Sequence, residues 1–565
     1  MIWKNIKPLR TLLFILPIAT CLLSGCNLQS NRQTSPIFYI DSKHGDDTHQ
    51  GTSKERPWKS FAPLKSVQLI RGGKILLANG SIFSTALILK NIDAKANAPL
   101  IISNYSKSTA SNSKKPFIRV TNKPEAIRIE NCSNITVSNL KVSAQKEEAT
   151  THKKENYKMR CGVFIKITKP GHYSGISLDH LDVENVFMNS PGIIRSANEV
   201  KTANGKQEYG WGIRVINRQK KAVLESITIQ NTRVRNVAHT GIKFTAFKPI
   251  NEQYGLRKIT INNNDVQRTG GPGIQMSGVQ HAHVFKNTVN QSGSNDDSRK
   301  WGRGSGLWTW SSENVIIEHN RFTNANGPGD SAGAHIDFNC KNIIVQYNFS
   351  ANNAGGFCEI LGNNYNCAYR YNISVNDGFR VKGENNAFQE GKLFWLSGYV
   401  GSKARTGPFN SYFYNNTMYV SKPIVSKIAI DKEAKGVLIA NNIFYLENTS
   451  ELVKGDQYNP EKNSNKTIQN VVFTNNLFLH ESAWPNNLLN QQISFFGNPK
   501  FTNNGGAEIV HYIPKDRKLV QNKGIHIPKI PNDSIGIVGG MQLEKDILGN
   551  YINGLPDLGA IEIKN

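Results

Sequence analysis

A parallel β-helix is the fold that this 565-residue sequence predicts. Three observations carry it. Short runs rich in β-branched residues recur, and each closes on Asn or another turn residue. The closer runs repeat at intervals in the twenties. No 3.6-residue apolar period runs through them, so a leucine-rich horseshoe fits poorly.

In order the runs are "NITVSNLKV", "ISLDHLDV", "SITIQNTRV", "KITINNNDV", "AHVFKNTV", "NVIIEHNRF", "NIIVQYNFS", "CAYRYNIS", "SYFYNNTM", "VLIANNIF" and "VVFTNNLF". Their matching polar residues are Asn139, His180, Asn231, Asn263, Asn287, Asn320, Asn348, Asn372, Asn416, Asn442 and Asn476. Intervals of 24, 28, 24 and 26 residues separate Asn263 from Asn287, Asn320 from Asn348, Asn348 from Asn372 and Asn416 from Asn442. Longer intervals imply loops inserted between coils. Asn suits a coil corner because it tolerates the left-handed region and its amide can bond to the Asn of the next coil. The row is therefore read as structural.

A second strand per coil lies upstream of the asparagines, led by Gly212, Gly241, Gly273, Gly306, Gly333 and Gly356. One and three residues after the glycine the positions are mostly apolar: Ile213 and Val215, Ile242 and Phe244, Ile274 and Met276. Strand alternation turns those inward and their neighbours outward. Arg214, Lys243, Gln275, Trp308, Trp310, His335 and Asp337 then share one outer face. The next coil allows two registers. Counting from Gly356 puts Glu359 inside; counting from Gly355 puts it outside, stacked on Asp337, with Cys358 inside. A buried unpaired Glu is costly and a buried Cys is ordinary, so the second register is expected. A slip of one residue would reverse it.

Stacked coils lie about 4.8 Å apart. Asp337 on Glu359 would then match the roughly 5–5.5 Å carboxyl spacing of retaining glycosidases. Crowded carboxylates push their pKa values apart, giving one acid and one nucleophile. Trp308 and Trp310 offer flat platforms for sugar rings. His335 could bind hydroxyls or tune the acid. Asp330, in "NGPGDSAG", is a spare carboxylate, and Arg303 is placed to meet an anionic group. Lys243 and Arg214 extend the face as substrate-binding candidates. The bland reading is a solvated face, with the tryptophans covered by a loop.

The first 26 residues read as a targeting segment. Lys4, Lys7 and Arg10 precede the apolar run "TLLFILPIATCLL", which is short for a membrane span. "LSGC", Leu23 to Cys26, resembles the bacterial lipobox, which implies acylation of Cys26 and a polar tether over residues 27–36. The chain carries 7 Cys. Of the five after Cys26, Cys358 and Cys367 either pair or stay as buried thiols, and the absence of CxxC argues against zinc. Formal net charge is +26, or +23 without the three basic residues of the signal. In an exported protein that favours acidic or sulfated polysaccharide over nucleic acid, unless the protein is simply basic throughout.

"FYIDSKHGDDTHQGTSKERPWKSF", residues 38 to 61, with "RGGKILLANG" after it, resembles the start of bacterial right-handed parallel β-helix carbohydrate-active enzymes. "LPDLGAIE", residues 555 to 562, is similar to their usual ending. The resemblance implies an all-β, single-stranded right-handed parallel β-helix with an N-terminal cap over 37–125, a helix domain over 126–565 and loop insertions. Residues 143–160, 189–209 and 380–409 read as such insertions, the last offering Glu384, Trp395 and Arg405 to subsites. The "GDSAGAHIDF" and "GGFCEI" pair resembles the carboxylates of the β-xylosidase and α-fucosidase types. That implies catalytic roles for Asp337 and Glu359, with Asp330 beside them. The resemblance further implies a monomer needing no cofactor, held to the outer membrane by its lipid and acting on a polysaccharide or its oligosaccharides. A polysaccharide lyase is the alternative; calcium would enter only then, yet Glu359, Asn363 and Asn364 lack the adjacent Lys. A non-catalytic glycan-binding lipoprotein and an adhesive β-helix are the other readings.

Overall fold

The computed structural model describes residues 36–564, except 70–71, 107–113, 122, 146–158, 188–208, 247–252, 295–301, 454–469 and 484–493. The signal, the tether up to residue 35, Cys26 and most of the first two insertions lie outside the described residues. Among the described residues no helix is long and apolar enough to cross a membrane.

Three sheets run the length of the described chain. Sheet I has 14 strands, from Ile37–Ile40 to Val471–Thr474. Sheet II has 12, from Leu87–Lys90 to Ser450–Val453. Sheet III has 14, from Ile82–Phe83 to Ser494–Phe496. Pairing within each is parallel, each strand bonding to its counterpart one coil away. Inward side chains from all three form one continuous core, with Ile213, Val215, Ile242, Phe244, Ile274 and Met276 inside it as the alternation predicts. A buried parallel sheet needs such apolar runs.

The asparagine row divides into two adjacent columns, which corrects the single row read from the sequence. Asn139, His180, Asn231 and Asn263 have φ between 49° and 56° and make the turn. In later coils Lys286, His319, Tyr347, Tyr371, Asn415, Asn441 and Asn475 take that place. One residue further on lies a buried amide ladder: Asn264, Asn287, Asn320, Asn348, Asn372, Asn416, Asn442 and Asn476. Each of these up to Asn442 donates its backbone N–H and its Nδ2 to the Oδ1 of the next, for example Asn320 to Asn348 at 2.9 and 3.0 Å. The two physical reasons for Asn thus act at different positions. The Asn–Asn pairs at 263–264, 415–416, 441–442 and 475–476 supply both at once. In the first coils Leu140, Leu181 and Thr232 occupy the ladder position; Leu181 begins the bonding by donating its N–H to Thr232 Oγ1, and Thr232 donates its N–H to Asn264.

After Phe496 the chain runs back over the outer faces of sheets I and III. Asn415 donates to Asp557 O at 2.8 Å, Asn441 to Ile525 O at 2.8 Å, and Ala560 N to Thr417 Oγ1 at 3.0 Å. Leu558, Ala560 and Ile561 of the "LPDLGAIE" ending belong to this return and are buried against sheet III. Sheet II carries the carboxylates on its outer face. The third insertion is not wholly a loop, since Lys392–Leu396 forms a further sheet II strand. All five described cysteines are free and buried, so Cys358 and Cys367 do not pair.

Candidate active site

Along sheet II one outward column reads Arg128, Phe164, Arg214, Lys243, Gln275, Trp308 and His335. Ile336 pairs with Ile360, so Glu359 follows His335 in that column, and Trp395 follows Glu359. The expected outward Glu359 and inward Cys358 hold, but the expected stacking of Glu359 on Asp337 does not. Asp337 lies two residues further along its strand. One rung and two residues place the two Cα atoms about 8 Å apart. The one-rung spacing that argued for retention is therefore absent. A core hydroxyl fixes this register: Tyr369 Oη donates to Ala334 O at 2.8 Å and receives Glu359 N at 3.3 Å.

Asp330, His335, Asp337 and Glu359 are between 2% and 5% exposed, although all lie on the outer side of the sheet. Burial lowers His335 to about 4, so its ring is neutral at ordinary pH. Burial holds Glu359 well above the usual carboxylate range, with Asp330 and Asp337 adding to the rise and Lys392 and Arg303 opposing it. That shift favours the protonated acid. Its Oε1 lies 3.1 Å from His335 Nε2, in a contact poorly aligned for a hydrogen bond.

Asp337 is set differently. Its Oδ2 accepts Trp308 Nε1–H at 2.8 Å and its Oδ1 accepts Phe338 N–H at 2.8 Å. Two N–H donors suit a carboxylate acting as acceptor only. Trp308 is therefore no open sugar platform: its indole N–H is taken by Asp337 and its ring stacks on His335 at 5.6 Å. Trp310 meets Phe338 edge-on at 5.7 Å and is half-buried.

Asp330 stands on the loop leading into the Ala334–Ile336 strand. Arg303 Nη1 lies 2.6 Å from its Oδ1, so the anion Arg303 meets is Asp330. The third insertion closes over this loop. Asp330 N donates to Gln389 Oε1, Phe388 N to Pro328 O at 3.0 Å, and Arg380 Nη1 to Gly327 O at 2.9 Å. A Cβ on Gly355 would fall 1.6 Å from Asp330 O, so the loop requires glycine beneath it. Of the subsite candidates, Trp395 borders Glu359, Arg405 pairs with Asp431, and Glu384 is exposed in a turn. Asn364 is engaged at both ends, its Oδ1 accepting Cys340 N–H and its Nδ2 donating to Asp337 O, while Asn363 donates its Nδ2 to Asn339 Oδ1. Among the described residues no group of three or more His, Cys, Asp or Glu could hold a metal ion.

Gln389, Arg380 and Lys392 were not singled out from the sequence. Lys392 is buried, with Nζ 4.0 Å over the Trp395 ring. Its signal was the strand "KLFWL" after Gly391, which repeats the glycine-led pattern of the earlier coils.

No family model matches the chain. A curated relative, the lacto-N-biosidase of Bifidobacterium longum subsp. longum, is 25% identical over 628 residues, covering 95% of this chain and 37% of its own length. The chain thus spans little more than a third of that relative. The crystal structure of GH136 lacto-N-biosidase from Eubacterium ramulus matches with a TM-score of 0.52 at 20% identity, over 69% of this chain and 64% of that one. With the all-parallel sheets described above, that likeness makes this chain a right-handed parallel β-helix.

Proposed function

We propose that this chain is a glycoside hydrolase acting on oligosaccharides. The observation that supports it is the convergence of Asp330, Asp337 and Glu359 on one sheet face, one of them held protonated and another held by two N–H donors. Hydrolysis of a glycosidic bond needs that inequality: an acid for the leaving oxygen and a carboxylate for the anomeric side. Glu359 is the acid. Asp337, fixed by Trp308, is the carboxylate. Asp330, anchored by Arg303, is the negative charge that helps keep Glu359 protonated. These roles call for no metal or other cofactor.

The lacto-N-biosidase likeness supports lacto-N-biosides as the first substrates to offer. The lipobox reading adds a place: a monomer tethered through Cys26 to the outer membrane, working on sugars in the envelope.

The test is a panel of lacto-N-biosides and neutral and acidic oligosaccharides, read for reducing ends and for the ultraviolet absorbance of a new C4–C5 double bond. Reducing ends without absorbance, lost in Asp337→Asn, support hydrolysis. Absorbance would mean elimination, with neutral His335 as the base. Binding without any product would leave a glycan-binding protein.

A further inference from the structure

Lys243 lies on the same outward column as Glu359, three rungs before His335, or about 14 Å away along the solenoid. It is 9% exposed and makes no ion pair or hydrogen bond among the described residues. The charges that act on it are Arg214 and Arg218, both positive, and with burial they lower it to about 7. Arg214 itself is fixed, 3.8 Å over the Trp211 ring and with Nη1 3.2 Å from Met159 Sδ. On the next rung Gln275 is buried with Oε1 unpartnered, and on Lys243's own strand Thr245 is buried with Oγ1 unpartnered.

A buried ammonium without a counter-charge is costly, and so, to a lesser degree, is each polar atom left unmatched beside it. Here a cation, an amide oxygen and a hydroxyl are all unmatched, on adjacent positions of one outer face. Trp308 follows Gln275 directly in the column, so the patch is continuous with the carboxylates. We infer that Lys243, Gln275 and Thr245 form a subsite for an anionic sugar, its carboxylate or sulfate on Lys243 and its hydroxyls on the other two. This deepens the glycosidase proposal and rests on its reading of the face as a glycan cleft. It makes the substrate an acidic oligosaccharide whose charged unit lies about three rungs from the bond that is cut.

The test is calorimetric binding to the Glu359→Gln protein of three probes: tetragalacturonate, a chondroitin-4-sulfate tetrasaccharide and neutral lacto-N-tetraose. At least one anionic probe should bind ten-fold or more tightly than the neutral one, and which one tells uronate from sulfate. That preference should disappear in Lys243→Met. An anion binds the charged amine, so binding at pH 7.5 should take up protons, shown by comparing buffers of different ionisation heat. Lys243→Met should show no such uptake. Equal affinity for charged and neutral probes, a preference that survives Lys243→Met, or no binding of either anion would each overturn the subsite. Cleavage of neutral lacto-N-biosides with no anion preference would overturn it and leave the glycosidase standing. Anion preference in a protein that cleaves nothing would do the reverse.

Discussion

Glu359 stacks on His335, with Oε1 3.1 Å from Nε2, and stands diagonal to Asp337 across one rung. Burial favours the protonated form of Glu359 and keeps His335 neutral, so the pair is set to present an undissociated acid. Activity should therefore fall as pH rises through the elevated pKa of Glu359. Glu359→Gln should cost about 10²- to 10⁴-fold in turnover of a natural linkage. A dinitrophenyl glycoside, whose leaving group needs no proton, should recover most of that loss. Absence of recovery would mean that Glu359 is not the acid.

Asp330 raises Glu359 through its charge. Asp330→Asn should move the alkaline limb of the pH–rate profile to lower pH while turnover on the acid side persists. If turnover vanishes at every pH, Asp330 belongs to the catalytic pair itself.

Trp308→Phe keeps the ring on His335 and removes the N–H given to Asp337. A hydrogen bond to a charged group is worth about 1.5–3 kcal/mol, so kcat should drop about 10- to 150-fold. KM and the thermal midpoint should barely move. A large fall in the midpoint instead would make the indole's role structural.

Asp377 ends a second, shorter ladder. Asn353 gives it both its N–H and its Nδ2, each at 2.9 Å, and Ser374 gives its hydroxyl at 2.7 Å. Burial raises this carboxyl to about 7. The folded state then binds the proton more tightly than the unfolded one, so stability is lost as pH rises from about 4 to about 7 and is flat beyond. The shift corresponds to about 4 kcal/mol. Asp377→Asn should flatten the fall in the urea midpoint between pH 4 and pH 7. An unchanged slope would place the proton elsewhere.

Asn348→Ala removes the oxygen that receives two donors from Asn320 and the amide that reaches Asn372, Ile317 and Gln346. Each buried group left unsatisfied costs about 1–3 kcal/mol, so a loss of at least 3 kcal/mol is expected by denaturant unfolding. A loss under 1 kcal/mol would mean that the ladder contributes little.

The solenoid, its inward faces and the outward row from Arg214 to Asp337 were legible in the sequence, because strand alternation fixes a face once one apolar position is known. Three matters were not. The asparagine row hid a turn and a ladder one residue apart, since Asn satisfies both and the pairs blur them. The register at Glu359 was misplaced because it is set by Tyr369, a core residue ten positions on in the next strand of the same coil, rather than by the local glycines. The closing of the Asp330 loop by Arg380 and Gln389 joins positions some 50 to 60 residues apart, and no local pattern marks it.

The amide ladder has a direction. Every asparagine in it from Asn264 to Asn442 gives its backbone N–H and an Nδ2 hydrogen to the side-chain oxygen of the next ladder residue, while its Nδ2 also reaches back to a backbone carbonyl of the preceding coil. During synthesis the newest coil therefore always carries donors waiting for an oxygen the ribosome has not yet delivered. The next coil meets an edge of donors placed for one register. Growth from the N-terminus is thereby guided one coil at a time, and whole coils, never fractions of one, are the increments by which such a chain can be lengthened or cut.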